Sequence, residues 1–155
     1  MLIRPFDPAD RAAVVALWRR AGLTRPWNDP DRDIDRKLAD SPWGMLVGER
    51  GGAVVAAMMV GYDGHRGSVN YLAVEPALQG HGLGRALMDH AEALLLARGC
   101  PKVNIQVRGD NAAVLGFYRA RGYGGSGSGS ADVVTLGLRL IPDAADGPDG
   151  AAARR

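Results

Sequence analysis

The sequence predicts a single α/β (α+β) domain in which a mixed central sheet carries helices on both faces. Three observations predict this class. The elements follow the order β-α-α-β-β-β-α-β-α-β, and a glycine-rich turn separates a predicted strand from a predicted amphipathic helix. The chain has 155 residues and 46% hydrophobic content, which suffices for one well-filled core. The domain is expected to span residues 1–141.

The N-terminal elements follow from helix start and stop signals. Residues 2–4 form a short predicted strand, and a helix then runs from its N-cap Asp7 to a stop at Gly22. Asp29 is a favourable N-cap for a second helix, 30–39, because the proline that follows fits the first helical position.

The central elements are three strands and a helix. Strands 45–49 and 53–62 form a predicted hairpin, and strand 69–74 follows it. The helix after the glycine-rich turn carries apolar residues at helical spacing, namely Leu83, Leu87, Ala91, Leu94 and Leu95. His90 lies on the same stripe, so we expect it to pack against a neighbouring element.

The C-terminal third is less regular. Strand 103–107 and a helix that starts near Asn111 are followed by a Gly/Ser-rich segment, 124–130, of linker-like composition. A last strand is predicted at 132–140. Residues 142–155 are rich in Ala, Asp and Gly and have almost no apolar anchor, so a disordered tail is expected there.

Composition excludes several classes of function. The net charge is +2 with both signs interspersed, which argues against nucleic acid as the main partner. No apolar stretch approaches the length of a membrane span, and no signal peptide opens the chain. The one cysteine, Cys100, fits a reducing compartment, so we expect a cytoplasmic protein. The three histidines and the cysteine lack metal-ligand spacing, so no metal is expected.

The most informative segment is Gln79-Gly80-His81-Gly82-Leu83-Gly84, here called the glycine loop. A glycine-rich turn that opens a helix leaves the first backbone N–H groups unpaired, and the helix dipole adds partial positive charge there. The loop therefore suits a phosphate or pyrophosphate group. It is not a Walker A loop, because Arg85-Ala86 follows it, and Arg85 occupies the position of the third glycine in the dinucleotide fingerprint.

The remaining pattern, Gln-x-x-Gly-x-Gly, resembles the pyrophosphate loop of the GNAT superfamily of acyl-CoA-dependent N-acetyltransferases. A second motif strengthens the resemblance. Asn111 is followed by Tyr118 and then by Arg119-Ala120-Arg121-Gly122-Tyr123, an Asn-x6-Tyr-x4-aromatic spacing that is similar to the asparagine- and tyrosine-bearing helix of that family. The two motifs stand in the expected order with a predicted strand between them.

The resemblance implies the GNAT fold and a direct transfer of an acetyl group from acetyl-CoA to a primary amine, within a ternary complex. It implies an oxyanion donor among the backbone N–H groups of the strand before the glycine loop. The residues that would bind the cosubstrate are Leu72, Ala73, Val74, Gln79, Gly80, His81, Gly82, Leu83, Gly84, Arg85, Asn111 and Tyr118.

Within the second motif, the resemblance assigns Tyr118 as the acid that protonates the departing CoA thiolate. A phenol remains protonated at neutral pH, which suits this role. The alternative is a tyrosine packed at the edge of the core, beside apolar neighbours. Asn111 would hydrogen-bond the cosubstrate, or it would simply cap the helix.

The general base has two candidates in the loop before the central strand, Asp63 and His65, and Glu75 is a third at the end of that strand. Many GNAT enzymes carry an acidic residue on the strand itself, where this chain has Asn70-Tyr71. The alternatives are that Asp63 and His65 only shape a turn, or that an acceptor amine of low pKa needs no base.

Two segments resemble a bacterial YpeA-like branch of the superfamily, residues 25–30 and residues 61–68, here called the first and second acceptor loops. In the GNAT fold these loops would face each other and wall an acceptor pocket. The predicted pocket residues are Trp27, Asn28, Tyr62, Asp63 and Arg66. An acidic and a basic side chain together suggest an amino-acid-like, peptide or protein acceptor, although the two loops would serve equally well as a structural lock.

Two further readings stay open from the sequence. The missing strand carboxylate and the Gly/Ser-rich segment would also fit a non-catalytic acyl-CoA-binding sensor or interaction module. A nucleotide-binding α/β protein would bind ATP or NAD instead of CoA. The poorly specified last strands would also suit a homodimer contact.

Overall fold

The computed structural model describes residues 1–109 and 111–124. Short 3₁₀ turns occur at Pro8–Asp10, Pro42–Gly44 and Pro76–Leu78. The strands and helices, in chain order, are β1 (Leu2–Pro5), α1 (Arg11–Arg20), α2 (Pro30–Asp40), β2 (Met45–Arg50), β3 (Ala53–Tyr62), β4 (Gly67–Val74), α3 (Leu83–Leu96), β5 (Val103–Asn104) and α4 (Ala112–Ala120). The chain divides into two compact units, one that comprises Met1–Ile105 and one that begins at Gln106.

The first unit is built on a five-stranded sheet of order β1-β2-β3-β4-β5. β1 to β4 pair antiparallel with their neighbours, while β5 pairs parallel to the start of β4 through Gly67 and Ser68. The predicted mixed sheet is therefore confirmed. Since β5 ends at Asn104, its pairing covers only the beginning of β4.

Alternate residues of the strands bury opposite faces of this sheet. One face packs against Val14, Leu17 and Trp18 of α1 and Ile34 of α2, and its strand residues are Met45, Val47, Ala57, Met59 and Ala73. The intervening strand residues are buried as well, and α3 contributes the buried residues Leu87, Met88, Ala91 and Leu95. Helices therefore cover both faces, as the sequence predicts.

A bulge interrupts β4 at Tyr71, and it sets the geometry of the site. The register against β3 shifts between the pairs Ala57↔Ala73 and Met59↔Asn70, so β4 has one residue more than β3 in this interval. Tyr71 has a φ of +51°, and among the described residues it is the one non-glycine residue with positive φ. An aromatic residue in this conformation costs on the order of 1–3 kcal/mol, which the surrounding packing must offset.

Local signals in the sequence account for most element boundaries. The Asp29 side chain accepts hydrogen bonds from the backbone N–H groups of Asp31 and Arg32, so it caps α2 as predicted. Asp7 caps the 3₁₀ turn that precedes α1, and the helix ends before Gly22, which has φ +70°. None of the helices in the described ranges is long and apolar enough to cross a membrane.

Three expectations differ from the structure or lie outside it. β5 is shorter than the predicted strand 103–107, since the backbone leaves the sheet after Asn104. The prediction that His90 packs against a neighbour is wrong, because its side chain is exposed on α3. The last strand 132–140, nearly all of the Gly/Ser-rich segment and the tail 142–155 lie outside the described residues.

Candidate functional site

The glycine loop forms an open cradle at the N-terminus of α3. Gly82 is the N-cap with φ +79°, no side chain caps the helix, and Gly80 has φ +78°. A Cβ built on either glycine meets no atom within 4 Å. Both glycines are therefore required by backbone conformation and not by close packing, and the space beside them is open. Uncapped N–H groups and open space together fit an anionic phosphate ligand.

Two side chains hold the glycine loop in place. Gln79 Nε2 donates a 3.2 Å hydrogen bond to the carbonyl oxygen of Val74, the last residue of β4. His81 Nδ1 lies 2.9 Å from the carbonyl oxygen of Gln79, so the loop is also closed on itself. The loop is thereby tied directly to the end of the strand that the sequence analysis assigns to the cosubstrate.

Beyond its short contact with β5, the edge of β4 that faces away from β3, here called the outer edge, has no strand partner among the described residues. Glu75 N donates to Val55 O of β3, and alternation along the ladder directs Ala73 N–H to β3 as well. The N–H group of Val74 consequently points to the outer edge. Such an edge can pair with the amide groups of an extended ligand, as an added strand does.

Sequence reasoning missed a polar contact on the face of β4 that α1 and α2 cover. The Tyr71 hydroxyl donates a 2.7 Å hydrogen bond to Asp33 Oδ2 of α2. The Tyr71 ring lies against the Trp18 ring of α1, with centroids 4.3 Å apart. A tyrosine in a strand pattern gives no signal for this arrangement, because it depends on the bulge and on a partner distant in sequence.

The second acceptor loop is organised by Asp63. Its Oδ1 accepts hydrogen bonds from the backbone N–H groups of His65, at 2.8 Å, and Arg66, at 2.6 Å. These donors, that of Arg66 above all, hold the pKa of the Asp63 carboxyl below its usual value. His65 is exposed, and Arg66 Nη1 donates to the His65 carbonyl oxygen at 2.8 Å. The turn-forming role considered for Asp63 is therefore present in the structure.

The other predicted pocket residues belong to different segments: Trp27 and Asn28 to the first acceptor loop, and Tyr62 to the end of β3. Trp27 is 50% exposed at the tip of the first acceptor loop, where Asn28 N donates to Arg25 O. The Tyr62 hydroxyl lies 3.2 Å from Gly64 O and 3.3 Å from Gly99 O. These bonds hold each loop internally or, for Tyr62, to the turn after α3.

Glu75, the third candidate base, follows β4 directly. Its carboxylate forms an ion pair with Arg20 of α1, with 2.8 Å between Arg20 Nη2 and Glu75 Oε2. The carboxylate is therefore engaged with α1 in this structure.

The second unit holds the two polar residues of the second motif, Asn111 and Tyr118. Asn111 caps α4, because its Oδ1 accepts a 3.2 Å hydrogen bond from Val114 N. Tyr118 is the buried residue of that helix, and its ring contacts the Phe117 and Tyr123 rings edge to face. Burial raises the pKa of the Tyr118 phenol above its ordinary value, with a smaller opposing effect from Arg121. The Tyr118 phenol is therefore neutral at physiological pH.

A search for metal sites within residues 1–109 and 111–124 finds no group of three or more His, Cys, Asp or Glu side chains that could hold an ion.

Comparison with known proteins agrees with this geometry. The sequence profile of the Acetyltransferase (GNAT) family matches residues 12–123. A curated protein named acetyltransferase from Pectobacterium atrosepticum is 49% identical over 143 residues, which cover 92% of this chain and 98% of that protein.

Solved structures share the same architecture. Ard1 from Thermoplasma volcanium superposes with a TM-score of 0.68 at 27% identity, covering 78% of this chain and 80% of that one. A ribosomal-protein-alanine N-acetyltransferase from Brucella melitensis gives a TM-score of 0.65 at 25% identity, covering 79% of this chain and 83% of that one. The matched region includes both units of the described chain.

Proposed function

The chain belongs to the acetyltransferase (GNAT) family, and we propose that it transfers an acetyl group from acetyl-CoA to a primary amine of an amino-acid-like or peptide acceptor. The observation that carries the proposal is the glycine loop, with its uncapped helix N-terminus and open space beside Gly80 and Gly82. A relative that is 49% identical over nearly its whole length bears the name acetyltransferase, which supports the same reaction.

Acetyl-CoA would bind along two features of the first unit. The first-turn N–H groups of α3 would hold the pyrophosphate, with Arg85 adding positive charge nearby. The backbone N–H groups at the end of β4, that of Val74 on the outer edge among them, would pair with the pantetheine amides or with the thioester oxygen. Gln79 fits this arrangement because it fixes the loop to the end of that edge.

The reaction needs an oxyanion donor and a proton for the thiolate. A backbone N–H of the outer edge would stabilise the negative charge that develops on the thioester oxygen as the amine attacks. Tyr118 would protonate the departing thiolate, since its phenol stays protonated at physiological pH and the pKa of a thiol is about 8.5. No covalent enzyme intermediate is needed in this route.

The acceptor class is inferred from charge and from one relative. Asp63 and Arg66 in the second acceptor loop offer a carboxylate and a guanidinium, which suit an acceptor with an amine and a nearby carbonyl or carboxylate. The Brucella melitensis protein carries ribosomal-protein-alanine in its name, and its fold and part of its sequence resemble this chain. A peptide with a free N-terminus is therefore the first acceptor to test.

The test is the acceptor-dependent release of CoA thiol from acetyl-CoA. The panel comprises short peptide amides with different N-terminal residues, free amino acids, polyamines and aminoglycosides. We expect release with peptides or amino acids. If no acceptor promotes release while acetyl-CoA still binds in a calorimetric titration, the proposed acceptor class fails, and an acceptor outside the panel or the sensor interpretation replaces it.

A further inference from the structure

We propose that Tyr71 accepts the proton of the acceptor ammonium group and that Asp33 is the positioning residue that receives the phenolic proton in turn. The pair would replace the acidic residue that the central strand of this chain lacks. The inference rests on the proposed function, because it assigns a step of the same reaction.

The pair is joined by a short hydrogen bond between two elements. The Tyr71 hydroxyl lies 2.7 Å from Asp33 Oδ2, and the Asp33 side chain keeps 21% exposure. Asp33 lies in the first turn of α2, where the helix dipole favours the charged carboxylate. A charged acceptor that is still in contact with solvent can take a proton and later release it.

Tyr71 has an unfavourable backbone conformation that the surrounding structure maintains. Its φ of +51° is unfavourable for an aromatic residue, and the β4 bulge places it there. The fully buried Trp18 ring stacks on the Tyr71 ring at 4.3 Å, so the phenol has little freedom to rotate away. Strain that surrounding structure maintains at a polar side chain is typical of functional positions.

The location agrees with the role. Tyr71 lies three residues before Val74, whose N–H lies on the outer edge, so the phenol belongs to the same stretch of β4 as a proposed oxyanion donor. Its side chain lies on the face that α1 and α2 cover. The first acceptor loop leads directly into α2. Asp29, the N-cap of that helix, belongs to the loop and precedes Asp33 by four residues. The acceptor loop and the pair therefore share one side of the sheet.

Charged side chains lie near the Tyr71–Asp33 pair on both helices that cover this face, α1 and α2. On α2, Arg36 Nη1 lies 3.0 Å from Asp33 Oδ1. On α1, Trp18 faces Tyr71, and Arg11 contacts Asp31 and Asp35 of α2. Arg36 therefore pairs with the Asp33 oxygen that Tyr71 does not use.

The proton movements balance. The Tyr71 oxygen takes one proton from the ammonium while its own hydroxyl proton passes to Asp33 Oδ2, which leaves a neutral amine. The amine forms the N–C bond, the C–S bond breaks, and Tyr118 gives its proton to the thiolate. The nitrogen loses its second proton, which restores Tyr118 by way of solvent, and Asp33 releases the first proton to solvent. One proton is released for each acetyl group transferred.

The experiment compares the wild type with Tyr71→Phe and Asp33→Asn, and uses Asp35→Asn as the matched control on the same helix. The probe is a peptide amide with a free N-terminal alanine, or the best acceptor of the panel if that differs. kcat/KM is measured from about pH 6.5 to about pH 9.5, a range that brackets the pKa of about 8 of an α-amino group. Calorimetry measures acetyl-CoA affinity, and circular dichroism checks the fold of each variant.

If the pair takes the proton, Tyr71→Phe lowers kcat/KM about 100-fold at the low end of this range and under about 5-fold at the high end, where the amine is already neutral. Asp33→Asn shows the same trend with a loss of about 10-fold, because the phenol retains a weaker partner. Both variants bind acetyl-CoA as the wild type does, and Asp35→Asn matches the wild type throughout.

Three results would overturn the inference. A loss that is the same at every pH would indicate a purely structural bond between α2 and β4. Wild-type kcat/KM in Tyr71→Phe at low pH would remove the phenol from the reaction. An inactive wild type would overturn the proposed function and the inference together. An active wild type with either of the first two results would overturn the inference alone, so the two failures can be told apart.

Discussion

Gln79 Nε2 donates a 3.2 Å hydrogen bond to Val74 O, and this bond ties the glycine loop to the outer edge of β4. The N–H groups proposed for the pyrophosphate and those proposed for the thioester end thus belong to one connected piece of backbone. A ligand that spans both would gain from this preorganisation, because neither part has to be ordered on binding.

We expect Gly82→Ala to weaken acetyl-CoA binding by about 10-fold or more, because Gly82 has φ +79° and a methyl group would enter the open space beside the loop. The matched control is Gly51→Ala in the β2–β3 turn. Gly51 also has positive φ, at +60°, and open space around it.

The backbone cost should be similar at both glycines, about 1 kcal/mol of stability. Isothermal titration with CoA separates the two effects. If Gly51→Ala lowers affinity as much as Gly82→Ala does, the effect comes from general destabilisation and the loop has no special part in binding.

Tyr118→Phe should lower kcat by a factor of about 10² to 10⁴ and leave the affinity for acetyl-CoA nearly unchanged, because only the acidic proton is removed. The phenylalanine ring preserves the edge-to-face contacts with Phe117 and Tyr123, so stability should change little. Stopped-flow or steady-state thiol release gives the rate. Turnover equal to that of the wild type would exclude Tyr118 as the acid.

Asp63 can be tested by separating its charge from its hydrogen bonds. Asp63→Asn keeps an oxygen for the backbone N–H groups of His65 and Arg66, whereas Asp63→Ala removes it. If the carboxylate attracts the acceptor amine, both variants raise the KM for the acceptor about 5-fold, and only the alanine variant loosens the loop. Steady-state kinetics and amide hydrogen exchange of residues 63–66 report these effects separately. A KM equal to that of the wild type in Asp63→Asn would show that Asp63 only shapes the turn and does not attract the acceptor.

The lowered pKa of Asp10 in the folded state gives a prediction for how the free energy of unfolding depends on pH. Its carboxylate accepts hydrogen bonds of 2.7 and 2.9 Å from Arg4 and one of 2.8 Å from Asp7 N, and the residue is buried. The Arg4 guanidinium in particular holds the pKa of Asp10 below its usual value. The stabilisation is therefore fully present above the unfolded-state pKa of about 3.9 and is lost as the pH falls through the lower folded-state pKa.

We expect Asp10→Asn to lower the free energy of unfolding by about 1–3 kcal/mol at neutral pH, because a charged hydrogen-bonded partner of Arg4 is lost. The gap to the wild type should begin to narrow as the pH falls below about 4, where the unfolded carboxylate takes up its proton, and it should close once the pH falls below the lower folded-state pKa of Asp10. Urea unfolding across this range measures it. A gap that persists at acid pH would assign the effect to packing and not to charge.

Local signals explain how much of the fold could be predicted. The cap at Asp29, the stop at Gly22 and the glycine loop each depend on residues within one or two turns, so the sequence pattern alone identifies them. The hairpin and the amphipathic helix α3 follow from periodicity in the same way. Strand β5 was predicted too long, because its end depends on where β4 and β5 separate and not on local composition.

The glycine loop and Tyr118 could be named from the sequence because each is part of a compact motif whose chemistry follows from residue type and spacing. Asn111 lies in such a motif too, but its side chain has two uses, and only the structure displays the cap on Val114 N. The contact between Asp33 and Tyr71, 38 residues apart, exists because a bulge rotates Tyr71 towards α2. A register shift of this kind is decided by the packing of β4 against β3 and α1, so no local pattern in the sequence records it.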